Sequence, residues 1–269
     1  MRNSILKTTI GGSVLLAMVG LALLAPWLGT VDPLLMDPQI RLQGSSGSHF
    51  FGTDLLGRDV YSRVVYGARV SLLIGFGVVV FAGSIGLLVG LLAGYLKAAD
   101  MVLMRIMDGI MAIPSILLAI SFMALSKGSL VNVIAAIGIA QIPRVARLVR
   151  STVLSLRSSL FIDSAVVAGA STPQIIVKHI LPNCVSPLIV QLTYIFASAM
   201  ITEAILSFIG AGPPPITPSW GNIMSDGKLL WQVKFSLLMT PALFLIVTVL
   251  AINLLGDGLR DTHDKKSAD

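Results

Sequence analysis

Of the 269 residues, 55% are hydrophobic and only 12% are charged, and the mean hydropathy is +0.90. Soluble domains carry about a quarter charged residues, so an ordinary water-soluble fold is excluded. The formal charge of +6 sits in connections between apolar runs, which points to membrane orientation rather than to nucleic acid.

A membrane-crossing helix needs roughly 20 apolar residues. Six such runs are predicted, at 10–28, 70–96, 103–125, 130–149, 185–209 and 236–255. The chain is therefore expected to be an all-α polytopic membrane protein built as one unit, 1–269. The first run follows Arg2 and Lys7, but it is long for a signal peptide and no small-x-small cleavage site follows, so an uncleaved helix is expected. In the second run, Gly86, Gly90 and Gly94 have GxxxG spacing. They let another helix approach closely, either within the bundle or between subunits. Pro114 predicts a kink in the third run.

An even number of spans places both termini on one side. Arg2, Lys7, Lys97, Arg105, Arg144, Arg147, Arg150, Arg157, Lys178, Arg260, Lys265 and Lys266 fall on that side. Arg41, Arg58, Arg63, Arg69, Lys127, Lys228 and Lys234 fall on the other. The excess predicts cytoplasmic termini. The two outer segments, 29–69 and 210–235, hold Pro33, Pro38, the Gly44–Ser48 tip and the Gly210–Pro215 cluster, which breaks helices.

Candidate chemistry is sparse. Cys184 is the single cysteine, and His49, His179 and His263 lie too far apart for metal-ligand spacing. Asp108 and Glu203 are the charges nearest the spans. Asp108 is expected to be hydrated or paired with Arg105, three residues back on the same helix face; Glu203 stays open. No acidic chain suggests a proton relay, and no clustered His, Asp, Glu or Cys suggests an embedded enzyme. No phosphate loop of the form G-x-x-x-x-G-K-[ST] occurs, so the chain is not expected to hydrolyse ATP.

The informative connection is 158–182. Phe161, Ala165 and Ala168 recur at helical spacing, and Gly169 ends that face in a left-handed turn. Thr172 before Pro173 starts a second short helix through Ile175, Ile176 and His179, which Pro182 is expected to stop. The pattern fits either a knob that docks on a partner or an amphipathic linker lying on the membrane.

The stretch from Asp163 to Pro182 resembles the EAA loop of permease subunits of ATP-binding cassette importers. Asp163, Ser164 and Ala165 take the Glu-Ala-Ala places, Gly169 the glycine and Leu181-Pro182 the end. His179 stands at a usually apolar position and begins the His-Ile-Leu-Pro-Asn run common in the peptide branch. Further resemblance to the dipeptide/oligopeptide/nickel permease family lies in Phe51-Gly52-Thr53-Asp54, Leu56-Gly57-Arg58-Asp59, Pro218-Ser219-Trp220-Gly221-Asn222 and the run from Asn253 to Asp261. The order of features resembles the C-type partner of a permease pair. Lys97-Ala98-Ala99 departs from the family's Gly-Gly after the tyrosine.

The resemblance implies a type I importer fold in a bacterial or archaeal cytoplasmic membrane. It implies a second homologous permease, two ATPase subunits carrying ATP and Mg, an extracytoplasmic solute-binding protein and no cofactor on this chain. Asp163, Ser164, Ala165, Gly169, His179, Leu181 and Pro182 would contact the ATPases. Gly52, Thr53, Asp54, Gly57, Arg58 and Asp59 would either receive the binding protein or form a structural loop in which Asp54, Arg58 and Asp59 pair with one another. Short peptides are the leading substrate, and nickel is the rival. A stand-alone channel or secondary transporter explains the spans but not the 158–182 segment.

Overall fold

A computed structural model describes residues 2–126 and 128–266. Lys127, one of the outer basic residues, lies outside them. The described residues form α1 (Arg2–Leu23), α2 (Val60–Tyr95), α3 (Lys97–Met111), α4 (Ser115–Leu125), α5 (Leu130–Arg157), α6 (Leu160–Val167), α7 (Thr172–Ile175), α8 (Leu181–Phe208), α9 (Trp220–Gly227) and α10 (Ser236–Lys266). Among them there is no strand, only an isolated bridge between Thr53 and Asp59.

Helices α2, α5 and α10 are longer than hydropathy predicts, α10 by eleven residues at its end. α1 starts earlier and stops at Leu23, short of the expected 28, before the turn at Ala25–Trp27 that holds Pro26. α2 starts ten residues before the expected 70, so 60–69 is helix rather than outer loop. Arg63 and Arg69 interrupt the apolar run there, yet Asp59 caps the helix by accepting from Ser62 N–H. α5 runs through Pro143 to Arg157.

The third span is broken rather than kinked. α3 and α4 meet at 88°, because Pro114 lacks an N–H and disfavours helix at Ile113. The eleven residues of α4 rise about 16 Å, roughly half the hydrocarbon thickness. α3 is tied instead to the C-terminal half of α5. Arg150 Nε donates to Asp100 at 2.5 Å, and Arg147 Nη2 donates to Asp108 at 2.7 Å. Asp108 thus pairs with Arg147 on another helix, not with Arg105.

Pro182 does not stop a helix. Thr172–Phe208 is one helical run. A π turn at Ile176–Ile180 lets Leu181 N–H reach back to Ile176 O, and Pro182 falls in the first turn of α8, where proline is tolerated. The predicted span at 185–209 therefore extends back through 172–184 without a break.

The glycine stripe of α2 packs within the chain. A Cβ on Gly86, Gly90 or Gly94 would come within 2.5, 2.6 and 2.6 Å of Cβ of Val145, Val149 and Val153 of α5. This ladder brings the two backbones together where lipid supplies no hydrophobic force between helices. The core around it includes Val145, Val149 and Val153 and extends through Ile162, Ile175 and Ile180 of the 158–182 segment. α1 lies along α10, and Lys7 Nζ donates to Asp261 at 2.9 Å.

Candidate functional site

On the side of the termini, α6 and α7 form a protruding corner. Ile162, Ile175 and Ile180 are buried and act as anchors. Leu160 and Val167 are 83% and 88% exposed, and Val166 and Val177 are exposed beside them. Gly169 has φ +83°. Ala170 N–H donates to Ala165 O and Gly169 N–H to Val166 O, each at 3.0 Å, which is a Schellman ending. The second helix is capped by Ser171, one residue earlier than predicted, through a capping box with Gln174.

The residues matched to the coupling motif share one corner but not one environment. Asp163, Ser164, Gly169 and Pro182 are exposed, whereas Ala165, His179 and Leu181 are half-buried. The Ser164 hydroxyl is turned back on Leu160 O at 2.9 Å. Asn183 Nδ2 donates to His179 O at 2.6 Å, next to the π turn.

On the opposite side, the signature between Gly52 and Asp59 closes into a knot. Gly52 and Gly57 each have φ +75°, and a Cβ on Gly57 would overlap Asp37 O. The Thr53 hydroxyl donates to Ile40 O and accepts from Gln43 N–H. Asp54 Oδ1 accepts from Leu56 and Arg58 N–H, and its Oδ2 accepts from Arg58 Nε and Arg63 Nη1 at 2.7 Å each. Asp59 Oδ2 instead caps α2 on Ser62, and its Oδ1 contacts His49 Nδ1 at 3.0 Å. The expected pairing thus holds for Asp54 with Arg58, but Asp59 has other partners.

Two residues outside the predicted set complete this cluster. Arg63 is 1% exposed, and Asp226 of α9 accepts from both Arg58 Nη2 and Arg63 Nη2, at 2.8 and 2.9 Å. The signal was present in the sequence. Asp226 is the single acid in 210–235, so it was the one carboxylate that segment could offer to the arginines of the first loop. Lys234 adds a further tie by donating to Thr53 O at 2.9 Å and to Gln43 O. Burial holds its ammonium below the usual lysine range, with Asp54 partly opposing.

Glu203, left open by the sequence, lies buried near the outer end of α8. Its Oε1 accepts from Ser207 Oγ at 2.7 Å and Ser219 Oγ at 2.8 Å. It thereby joins α8 to the start of α9. Trp220 Nε1 donates to Val64 O at 2.9 Å, and Asn222 Nδ2 gathers the carbonyls of Pro213, Pro214 and Thr217. The Pro-Ser-Trp-Gly-Asn stretch is therefore a stitch between the second outer segment and α2.

Comparison with known proteins places the chain in a family. Residues 86–268 match the family described as binding-protein-dependent transport system inner membrane component. A Sinorhizobium fredii protein named a probable peptide ABC transporter permease is 49% identical over 258 residues, 96% of this chain and 88% of that protein. A Pseudomonas aeruginosa di/tripeptide transport system permease is 40% identical over 97% of this chain and 88% of its own length. An Alkalihalophilus pseudofirmus dipeptide transport system permease is 42% identical over 96% and 85%. Among solved structures, an inward-facing MetNI methionine ABC transporter superposes with a TM-score of 0.59 at 21% identity, over 72% of this chain and 93% of that one. This last likeness supports the fold. With the family match spanning most of the chain and sequence relatives covering nearly all of it, the protein belongs to the inner membrane components of binding-protein-dependent transport systems, as a multi-pass permease.

Proposed function

We propose that this chain is a permease subunit that conducts short peptides inward, driven by ATP hydrolysis on two partner ATPases that bind ATP and Mg. A second homologous permease completes the path, and an extracytoplasmic solute-binding protein delivers the substrate. Both termini face the cytoplasm, and the corner at 158–182 receives the ATPases through Asp163, Ser164, Ala165, Gly169, His179, Leu181 and Pro182.

The observation that carries this reading is the corner itself. Leu160, Val166, Val167 and Val177 are exposed on this corner, on a segment whose other face is anchored in the core. An apolar surface of this kind fits a groove on another protein. Thr172–Phe208 is one helical run, so a push on the corner passes into the fifth span without an intervening loop. That favours a rigid-body rocking of the bundle. The peptide assignment is drawn from the names of the relatives. The knot around Asp54 is satisfied internally, which favours its structural role over direct capture of the binding protein.

Purification of the tagged chain from native membranes in mild detergent tests this reading. Co-purifying ATPases and a second permease, with ATP-driven uptake of labelled trialanine in reconstituted vesicles, are expected. Recovery of the chain alone, beside a control transporter that stays assembled, would overturn it in favour of a channel or secondary transporter.

A further inference from the structure

A cavity of about 390 Å³ opens between the first turn of α4, the middle of α8 and α10. Its polar lining is Ser115, Tyr194, Ser198, Thr202 and Asn253. Tyr194, Ser198 and Thr202 are spaced by four residues and share one face of α8. Among the described residues, Ser115 Oγ and the Asn253 side-chain amide have no hydrogen-bond partner. Behind Ser198, Gln141 of α5 is buried. Its Nε2 lies 3.4 Å from Ser198 Oγ, and its Oε1 is unpartnered.

A bare lipid-facing surface would not carry the unpaired Ser115 and Asn253 groups, because such polar atoms are strongly disfavoured in hydrocarbon. The backbone argues the same way. Ala112, Ile113 and Pro114 are exposed at the 88° break, and Pro114, at the N-cap position before α4, provides no side-chain cap. Irregular backbone at membrane depth is tolerated where it is buried in protein or lines a water-filled cavity.

We propose that this face of α8, with Ser115 and Asn253, is one wall of the hydrated path, and that it holds the backbone of an extended short peptide. The proposal rests on the peptide-import reading above. Tyr194 Oη already donates to Asp257 Oδ1 at 2.5 Å and Thr202 Oγ1 to Ser198 O at 2.8 Å, so their oxygens are left to accept from peptide N–H groups. Ser115 Oγ and the Asn253 amide can both donate and accept. None of these contacts reads the peptide's side chains. The lining itself holds no thiolate or imidazole, and the one carboxylate it touches, Asp257, already accepts from Tyr194 Oη, which is a poor donor set for a bare transition metal. The volume falls in the range of small-molecule sites.

The single native cysteine makes the test direct. In a Cys184→Ala background, Ser198→Cys, Asn253→Cys and, as a control on the exposed face of α1, Leu16→Cys are prepared in the assembled transporter in native membrane vesicles. A charged, water-soluble methanethiosulfonate is expected to modify the first two at least ten-fold faster than Leu16→Cys, and to lower trialanine uptake at least five-fold only there. Modification of both at the rate of Leu16→Cys, in vesicles that still take up trialanine, would overturn the path. Two positions on different helices guard against one that fails to insert. Fast modification in vesicles whose unmutated transporter takes up no trialanine would keep the hydrated wall and overturn the peptide reading instead.

Discussion

Arg63 Nη2 donates to Asp226 Oδ2 at 2.9 Å across 163 residues of chain. Through this contact the first turn of α2 is locked to α9, and the two outer segments become one layer. Asp54 neutralises one side of the arginine pair and Asp226 the other.

Asp226→Ala upsets that charge balance and leaves two buried guanidinium groups sharing one carboxylate. Breaking a fully buried pair costs about 3–5 kcal/mol. Asp226 is 38% exposed, so water replaces part of what is lost and about 1–3 kcal/mol is expected. Thermal unfolding of the purified chain in detergent checks this. A melting temperature unchanged from wild type would remove the quartet from any stabilising role.

Gly57→Ala is expected to be worse than its size suggests. The residue sits at φ +75°, and the added methyl would overlap Asp37 O. Left-handed backbone alone costs roughly 1–2 kcal/mol outside glycine. Gly44→Ala, with open space around it, is the matched control. Limited proteolysis of the outer loop in intact cells should find the Gly57 variant cleaved faster and the Gly44 variant unchanged.

Gly90→Ala separates intrachain packing from subunit pairing. Its methyl would meet Val149 Cβ at 2.6 Å and Ala146 O at 2.7 Å. A loss of about 1–3 kcal/mol is expected, as for other overpacked contacts. Adding Val149→Ala should restore only part of it, because the carbonyl contact remains. Detergent melting curves of the single and double variants decide. If the single variant were as stable as wild type yet failed to assemble with a second permease, the stripe would belong between subunits.

Gly169→Leu meets no steric obstacle, since nothing lies within 4 Å of where a Cβ would stand, but φ +83° strains it. The proposed docking corner should then re-form poorly. ATP-driven uptake is expected to fall about ten-fold, matching the roughly 1–2 kcal/mol of left-handed strain, while the amount inserted stays normal. Gly169→Asn, which tolerates that conformation better, should recover most of the uptake. Equal uptake by both variants and wild type would separate this turn from coupling.

Much of this architecture is legible locally. Hydropathy locates the spans, Gly169 marks the left-handed corner, and Pro114 marks the weak point of the third span, because each is encoded in a few consecutive residues. The same local reading errs where distant groups intervene. It starts α2 too late, because Arg63 looks too polar for a helix entering the membrane until Asp54 and Asp226 surround it. It makes Pro182 a stop, because a π turn is not visible in hydropathy or in proline position.

Composition and hydropathy alone fix the class of molecule: an all-α membrane protein with a glycine-turned corner between two of its spans. Backbone groups in lipid must be satisfied within each span, so apolar length alone dictates helix. Tertiary structure decided which helices touch. It set Gly86, Gly90 and Gly94 against α5, gave Asp108 to Arg147, brought Asp226 to two arginines, and left Ser198 and Asn253 facing one cavity. In a membrane the hydrophobic effect does not choose among helix pairs. That choice falls to close packing and to polar contacts between residues far apart in the chain, and these exist only once the bundle has formed.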